Sequence, residues 1–203
     1  LHEIEVLPPT KEAPDLTGTI SGAGPVLKFD FGTNTSGVED GWLPVTETST
    51  YGESSGYGWR ESEYLLPTDR RSGYAVPRDF VAAAREDGGP VAGTFSVDVT
   101  NGEYLVGVLS GDLSFPVESF AITAEGETIA GRVITADAND VVRTNATVTV
   151  ADGRLDLDFS GEKAWLVNGV IVAPVDALQF RVLPREVLER LFLRIQWGQA
   201  LDR

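Results

Sequence analysis

No cysteine occurs in this 203-residue chain, which removes disulfide staples, thiolate chemistry and cysteine-based metal sites at once. Histidine is almost as scarce. The single one, His2, lies at the extreme N-terminus, away from any strand pattern. A serine hydrolase needs a base beside its nucleophile, so a Ser-His-Asp triad is nearly excluded. Ser110-Gly111-Asp112 carries part of an esterase-like Gly-Asp-Ser order but continues into Leu113, and reads as a strand end and turn. No run of about 18 apolar residues appears, so no helical membrane span is expected. Basic residues are also short, 16 against 31 acidic, for a net charge of −15. A basic footprint for nucleic acid or an anionic membrane surface is therefore missing. The negative charge suits the solubility of a secreted or salt-adapted protein.

Twenty-two glycines and eleven prolines, set among many Val, Thr and Asp, favour short strands joined by turns. The chain opens at Leu1, without the pattern of a signal peptide, and reads as a mature product or a piece of something larger. Residues 1–25 read as a short apolar stretch followed by a stiff linker around Pro8-Pro9 and Pro14. Residues 26–183 form the expected folded module, and 184–203 a helical or linker tail. In that tail Val187, Leu188, Leu191, Phe192 and Ile195 share one helical face, with a strand over 191–197 as the competing reading.

Period-two alternation is clear in several places. Leu27, Phe29 and Phe31 fall on one side of a strand. Phe95, Val97 and Val99 alternate before Asn101-Gly102, and Tyr104, Val106 and Val108 after it, predicting a hairpin. Residues 146–150 and 155–159 repeat the design around Asp152-Gly153. Glu125-Gly126 predicts a further turn, and Trp165 to Val172 is apolar enough for one central strand. Short strands at this spacing point to an all-β sandwich.

Residues 32–92 break the pattern and read as a long irregular region, the kind of segment that carries function on a rigid scaffold. Trp42, Tyr51, Tyr57, Trp59, Tyr64 and Tyr74 fall within 33 residues, with Asp40, Glu53, Arg60, Arg70, Arg71, Arg78 and Asp79 among them. Aromatic faces match the apolar side of a pyranose ring, and fixed polar groups match its hydroxyls. Packing under a long loop is the competing role, above all for Tyr57 and Trp59. Arginine forks at Arg60, Arg70, Arg71 or Arg78 would suit the carboxylate of an acidic sugar. Thirty-one acidic residues leave a glycosidase carboxylate pair open in principle, but none stands in the apolar surroundings that acid catalysis needs.

Phe29-Asp30-Phe31-Gly32, Gly56-Tyr57-Gly58-Trp59, Arg78-Asp79-Phe80 and the stretch from Gly93-Thr94-Phe95 to Gly111-Asp112 occur in that order. Together they resemble the galactose-binding-like accessory modules beside rhamnogalacturonan-acetylesterase-type enzymes, with malectin-like and family-35-like carbohydrate modules more distant. The resemblance spans residues 26–172. It implies an all-β jelly-roll sandwich that binds glycans without cutting them, in an extracellular or periplasmic protein whose partners are a polysaccharide and a neighbouring catalytic domain. The expected carbohydrate-binding residues are Trp42, Tyr51, Tyr57, Trp59, Tyr74, Arg78 and Asp79, for a plant or algal glycan of acidic type. A structural calcium, as related modules often hold, would draw on strand carboxylates, Asp30 and Asp158 first, with Asp98 and Asp156 also in reach. The alternative reading is a β-sandwich that only docks its catalytic neighbour.

Overall fold

The structure is a computed structural model and describes residues 24–177, apart from 53, 72–74, 136 and 139. The tail at 184–203, with its expected helix, and the ring of Tyr74 lie outside the described residues. Two five-stranded sheets face each other. The first, sheet A, has the order β10 (Val141–Val150), β7 (Gly102–Gly111), β13 (Gly169–Pro174), β1 (Leu27–Phe31), β2 (Leu43–Val45). The second, sheet B, runs β3 (Tyr57–Ser62), β6 (Val91–Asp98), β11 (Arg154–Gly161), β8 (Phe120–Ala124), β9 (Glu127–Val133). A three-stranded sheet C, β12 (Ala164–Val167), β5 (Asp79–Ala84), β4 (Leu65–Asp69), carries the chain between them. Its β12 leaves the end of β11 in sheet B and delivers the chain to the start of β13 in sheet A, so sheet C caps one end of the sandwich.

Alternation decides what enters the core. Phe29, Phe31, Val106, Val108, Val170 and Val172 of sheet A meet Phe95, Val97, Ile122, Leu155, Leu157 and Phe159 of sheet B, all at most 1% exposed. Beneath the cap the rings stack and interlock. Phe31 and Phe95 lie 5.0 Å apart edge to face, Trp59 and Phe95 5.6 Å, and Phe159 and Trp165 5.2 Å in a stack. Such pairs add about 0.5–1.5 kcal/mol each beyond the area they bury.

The expected sandwich is present, but four local readings change. Asn101-Gly102 is not a hairpin turn: β6 pairs with β3 and β11, while β7 pairs with β10 and β13. The turn is an arch that carries the chain from one sheet to the other. The Asp152-Gly153 turn is a second arch, stacked on the first through Val99 N–H to Gly153 O (3.0 Å) and Asn101 Nδ2 to Ala151 O (2.9 Å). Only Glu125-Gly126, both at positive φ, closes a true two-residue hairpin, between β8 and β9. The apolar run 165–172 is likewise two strands in two sheets, divided at Asn168. The region 32–92, read as irregular, holds β2, β3, β4 and β5 and a four-residue helix, Ala75–Arg78.

Candidate functional site

The residues singled out from the sequence fall into three groups. The first belongs to the core. Trp59, 4% exposed, packs on Phe31, Phe95, Phe159 and Trp165, and its indole N–H donates to Thr46 O (2.9 Å). Trp42, 8% exposed, packs in a separate apolar cluster on the outer side of sheet A, with Lys28 Nζ 5.7 Å from its ring. Tyr57 is half-buried against Phe29 and points its hydroxyl at Pro44 O. Trp42 and Trp59 are too buried to offer an open face to a sugar. The glycines around them confirm the packing role. A side chain at Gly58, φ +140°, would stand 2.5 Å from Ser49 O.

The second group holds a loop. Asp30 and Asp79 are buried, at 3% and 1% exposure. Asp30 Oδ2 accepts the Glu39 N–H (2.7 Å), and Arg78 Nη2 donates to Gly37 O (3.1 Å). Arg78 also lies 3.2 Å from Asp69 Oδ1 and 3.8 Å from Asp79 Oδ2. Gly32 is obligatory here, since a Cβ would come 2.3 Å from Asp79 Oδ2 and 2.6 Å from Ser36 Oγ. Burial pushes the Asp30 carboxyl up to about 7 against the Glu39 hydrogen bond, and the Asp79 carboxyl up to about 6 against a hydrogen bond from Ser36. Asn168, which no sequence signal marks, locks the same corner. Its amide Oδ1 accepts Gly111 N–H (2.7 Å), its Nδ2 donates to Asp79 O (2.8 Å), and its own carbonyl accepts Phe31 N–H (2.9 Å). Three motifs of the resemblance therefore meet in one structural knot rather than in a ligand surface.

Asp30 and Asp158, the expected calcium ligands, do not come together. Asp30 lies between the inward Phe29 and Phe31 and so faces out from sheet A; Asp158 lies between the inward Leu157 and Phe159 and faces out from sheet B. The core separates them, so one ion cannot bind both. Among the described residues no group of three or more His, Cys, Asp or Glu side chains is placed to hold a metal.

The third group builds a surface. On the outer face of sheet B the register sets Arg154 opposite Asp98, Asp156 opposite Ser96, and Asp158 between Thr94 and Thr123. Asp158 accepts the hydroxyls of Thr94 (2.7 Å) and Thr123 (3.0 Å), one on each oxygen. Asp156 accepts Ser96 Oγ (2.6 Å), Arg154 Nε (2.9 Å) and Arg60 Nη1 (2.9 Å). Burial alone would raise the Asp156 carboxyl, but these hydrogen bonds and both guanidinium charges outweigh it and hold the group below its usual range. Tyr51 donates its hydroxyl to Asp98 (2.6 Å), and Arg154 lies over its ring at 6.0 Å.

Two depressions open along this face. One, about 280 Å³, is lined by Arg60, Thr94, Glu125, Asp156 and Asp158; the other, about 330 Å³, by Tyr64, Arg85, Pro90 and Gly93. They share Glu61 and Thr94 and so form one groove running toward the cap. Tyr64 is 50% exposed, and Arg85 lies 5.1 Å from its ring. The groove thus offers an exposed ring and a bed of oriented hydroxyls, carboxylates and guanidiniums. Chemically, an exposed ring can stack on the C–H face of a sugar, and fixed polar groups can hydrogen-bond its hydroxyls. Of the expected sugar-binding residues Tyr51 alone lies on this face, together with Asp98, Asp156 and Asp158 of the expected calcium carboxylates; Arg60 and Tyr64, named within the aromatic segment, join them.

A sequence model of a beta-agarase/YXIM esterase-like, galactose-binding domain-like family matches residues 27–165, which is most of the described sandwich. The chain belongs to this family. Beta-agarase A of Zobellia galactanivorans is 27% identical over 155 residues, which cover 73% of this chain and 27% of that protein. The chain therefore spans about a quarter of the length of this curated relative. The crystal structure of YXIM from Bacillus subtilis superposes with a TM-score of 0.56 at 26% identity, over 74% of this chain and 40% of that one. A Bacteroides uniformis β-glucuronidase 2 shares the fold alone, with a TM-score of 0.55 at 16% identity over 79% of this chain and 18% of its own. The galactose-binding-like assignment and the sandwich architecture read from the sequence both stand.

Proposed function

We propose that this galactose-binding-like domain is a non-catalytic carbohydrate-binding module of a secreted polysaccharide-degrading enzyme, and that it holds a neutral galactan chain along the outer face of sheet B. The observation that carries the reading is the groove from Tyr64 to Asp158, in which side chains are fixed by one another before any ligand arrives. Preorganisation of this kind lowers the ordering cost of binding.

The acidic-sugar expectation gives way here. Arg60 is held by Asp156, Arg70 by Asp112, and Arg78 by Asp69 and the Gly37 carbonyl, so three of the four expected forks are already engaged, and the fourth, the exposed Arg71, does not line the groove. The groove itself carries Glu61, Glu125, Asp156 and Asp158, in a chain of net charge −15. A polyanion would be repelled on approach. A neutral galactan meets no such barrier, and a relative named a beta-agarase fits it. Docking to a catalytic neighbour without sugar is the second reading, favoured by the exposed Leu66 of sheet C and Phe115 of the β7–β8 loop.

Affinity electrophoresis through agarose, alginate and pectate gels tests the proposal. Retardation is expected in agarose alone, with a dissociation constant in the micromolar-to-millimolar range, about −4 to −8 kcal/mol. Tyr64→Ala should weaken it about 2- to 10-fold, the equivalent of about 0.5–1.5 kcal/mol of lost stacking. No retardation in any gel, or retardation that Tyr64→Ala and Arg60→Ala leave unchanged, would overturn the reading in favour of docking.

A further inference from the structure

The hydroxyls along the polar face of sheet B have already given up their protons. Thr94 and Thr123 donate to the two oxygens of Asp158 (2.7 and 3.0 Å), Ser62 donates to Glu61 O (2.7 Å), and Tyr51 donates to Asp98 (2.6 Å). A hydroxyl has one proton and two lone pairs, so each of these groups is left with acceptor capacity alone. The carboxylates of Glu61, Glu125, Asp156 and Asp158, which line the groove, only accept when ionised. Pro90, at the cap end, has no N–H to offer. The two guanidiniums are engaged as well. Arg60 Nη1 donates to Asp156 (2.9 Å), and Arg85 donates to Asp87 through Nε (2.8 Å) while lying over the Tyr64 ring. Among the described side chains of the groove, acceptors therefore outnumber the protons that could be given to a ligand.

We propose that the groove selects its ligand by hydrogen-bond direction, holding stretches of galactan whose hydroxyls are free and rejecting stretches in which they are O-methylated. The inference rests on the galactan reading above and states which galactan fits. A free sugar hydroxyl supplies a proton to Thr94, Asp158 or Glu125. A methyl ether keeps the oxygen but has no proton, so lone pair meets lone pair, and a carboxylate that gave up water on binding gets nothing in return. Sites built to hydrogen-bond a substrate hydroxyl reject the analogue without it more strongly than apolar pockets reject an added methylene. The preference is set by strand register and not by one side chain. Asp158 of β11 stands between Thr94 of β6 and Thr123 of β8, and so turns both hydroxyls inward on itself before any ligand arrives.

Affinity electrophoresis of the full chain through plain, O-methylated and hydroxyethylated agarose, at matched substitution, tests the proposal. A hydroxyethyl group is bulkier than methyl but ends in a hydroxyl, so it separates lost protons from added bulk. O-Methylation should weaken binding about tenfold or more, and hydroxyethylation no more than about threefold. Equal affinity for plain and methylated gel would refute the inference. So would a larger loss on hydroxyethylation than on methylation, the order that bulk alone dictates. Absence of retardation in plain agarose would instead remove the galactan reading itself, and this inference with it. Asp158→Asn supplies a second arm, since its amide donates toward one threonine and frees that hydroxyl proton for the ligand. The preference for plain over methylated agarose should then shrink to about threefold or less. Glu125→Gln, which keeps an acceptor for the Asp156 N–H, serves if that chain does not fold. A preference unchanged in the folded variant would refute the inference.

Discussion

The two outer faces of the sandwich are made by the same alternation and come out opposite. On sheet B every second residue is a hydroxyl or a charge: Thr94, Ser96 and Asp98, then Arg154, Asp156 and Asp158. On the central strands of sheet A the same positions read Leu105, Gly107 and Leu109, then Ile171 and Ala173. A face of oriented polar groups can meet water or a sugar, whereas a strip of leucine and isoleucine is stable only under cover. One sheet is thus built as a working surface and the other as a second, smaller core.

The largest expected contrast is in stability. Ile171→Ala should cost about 2–5 kcal/mol, as for a core isoleucine, although its side chain points away from the main core. Thr123→Ala on the opposite face should cost no more than about 1 kcal/mol, one partly exposed hydrogen bond. Chemical denaturation of both variants measures the difference. Equal losses would mean that the outer strip of sheet A is not a packed face.

The next contrast is in pH. Asp30 and Asp79 titrate in the folded protein at about 7 and about 6, above the ordinary carboxylate range, chiefly through burial. Between about pH 4 and pH 7 the native state then binds more protons than the unfolded chain, so their contribution is full at the acid end and declines as pH rises. Asp30→Asn keeps an acceptor for the Glu39 N–H and removes the decline. The variant should be more stable than wild type above pH 7, on the order of 2 kcal/mol, and nearly equal to it near pH 4. Asp156 has the opposite sign. Its carboxyl is held low by Arg154, Ser96 and Arg60, so its contribution is present at neutral pH and lost only as pH falls below the usual carboxylate range. Asp156→Asn should lower stability at pH 7, by about 1 kcal/mol for this partly exposed pair, and shrink the acid-induced loss. A destabilised Asp30→Asn at pH 8 would contradict the assignment.

How legible this was from the sequence depends on the question asked. Alternation marks which side of a strand faces the core, and Phe29, Phe31, Phe95, Val97, Leu155 and Leu157 all obey it. It does not say which sheet a strand joins, and Asn101-Gly102 therefore looked like a hairpin when it is an arch. Nor does an unbroken apolar run reveal a change of sheet, as at Asn168. The aromatic segment misled for a related reason. Composition counts rings but not where they point, and Trp59 lies in the core while Tyr64, five residues on, is half exposed. Tyr51, Arg60 and Asp158 were recognisable as binding residue types, but they reach one face only through the pairing of β3, β6 and β11, which no local signal encodes. Glu125 could have been noticed, since a two-residue turn with an acid at its first position points that acid along the adjoining sheet face.

The central claim, that the polar outer face of sheet B and not the apolar face of sheet A meets the ligand, is tested most directly by amide chemical-shift mapping. A neutral galactan oligosaccharide would be titrated into the labelled full chain to millimolar concentration. Saturable shifts are expected at Arg60, Tyr64, Thr94, Glu125 and Asp158, with Leu105, Leu109 and Ile171 unmoved. Shifts centred instead on the sheet A strip or on Leu66 and Phe115, or no shifts at all, would contradict it.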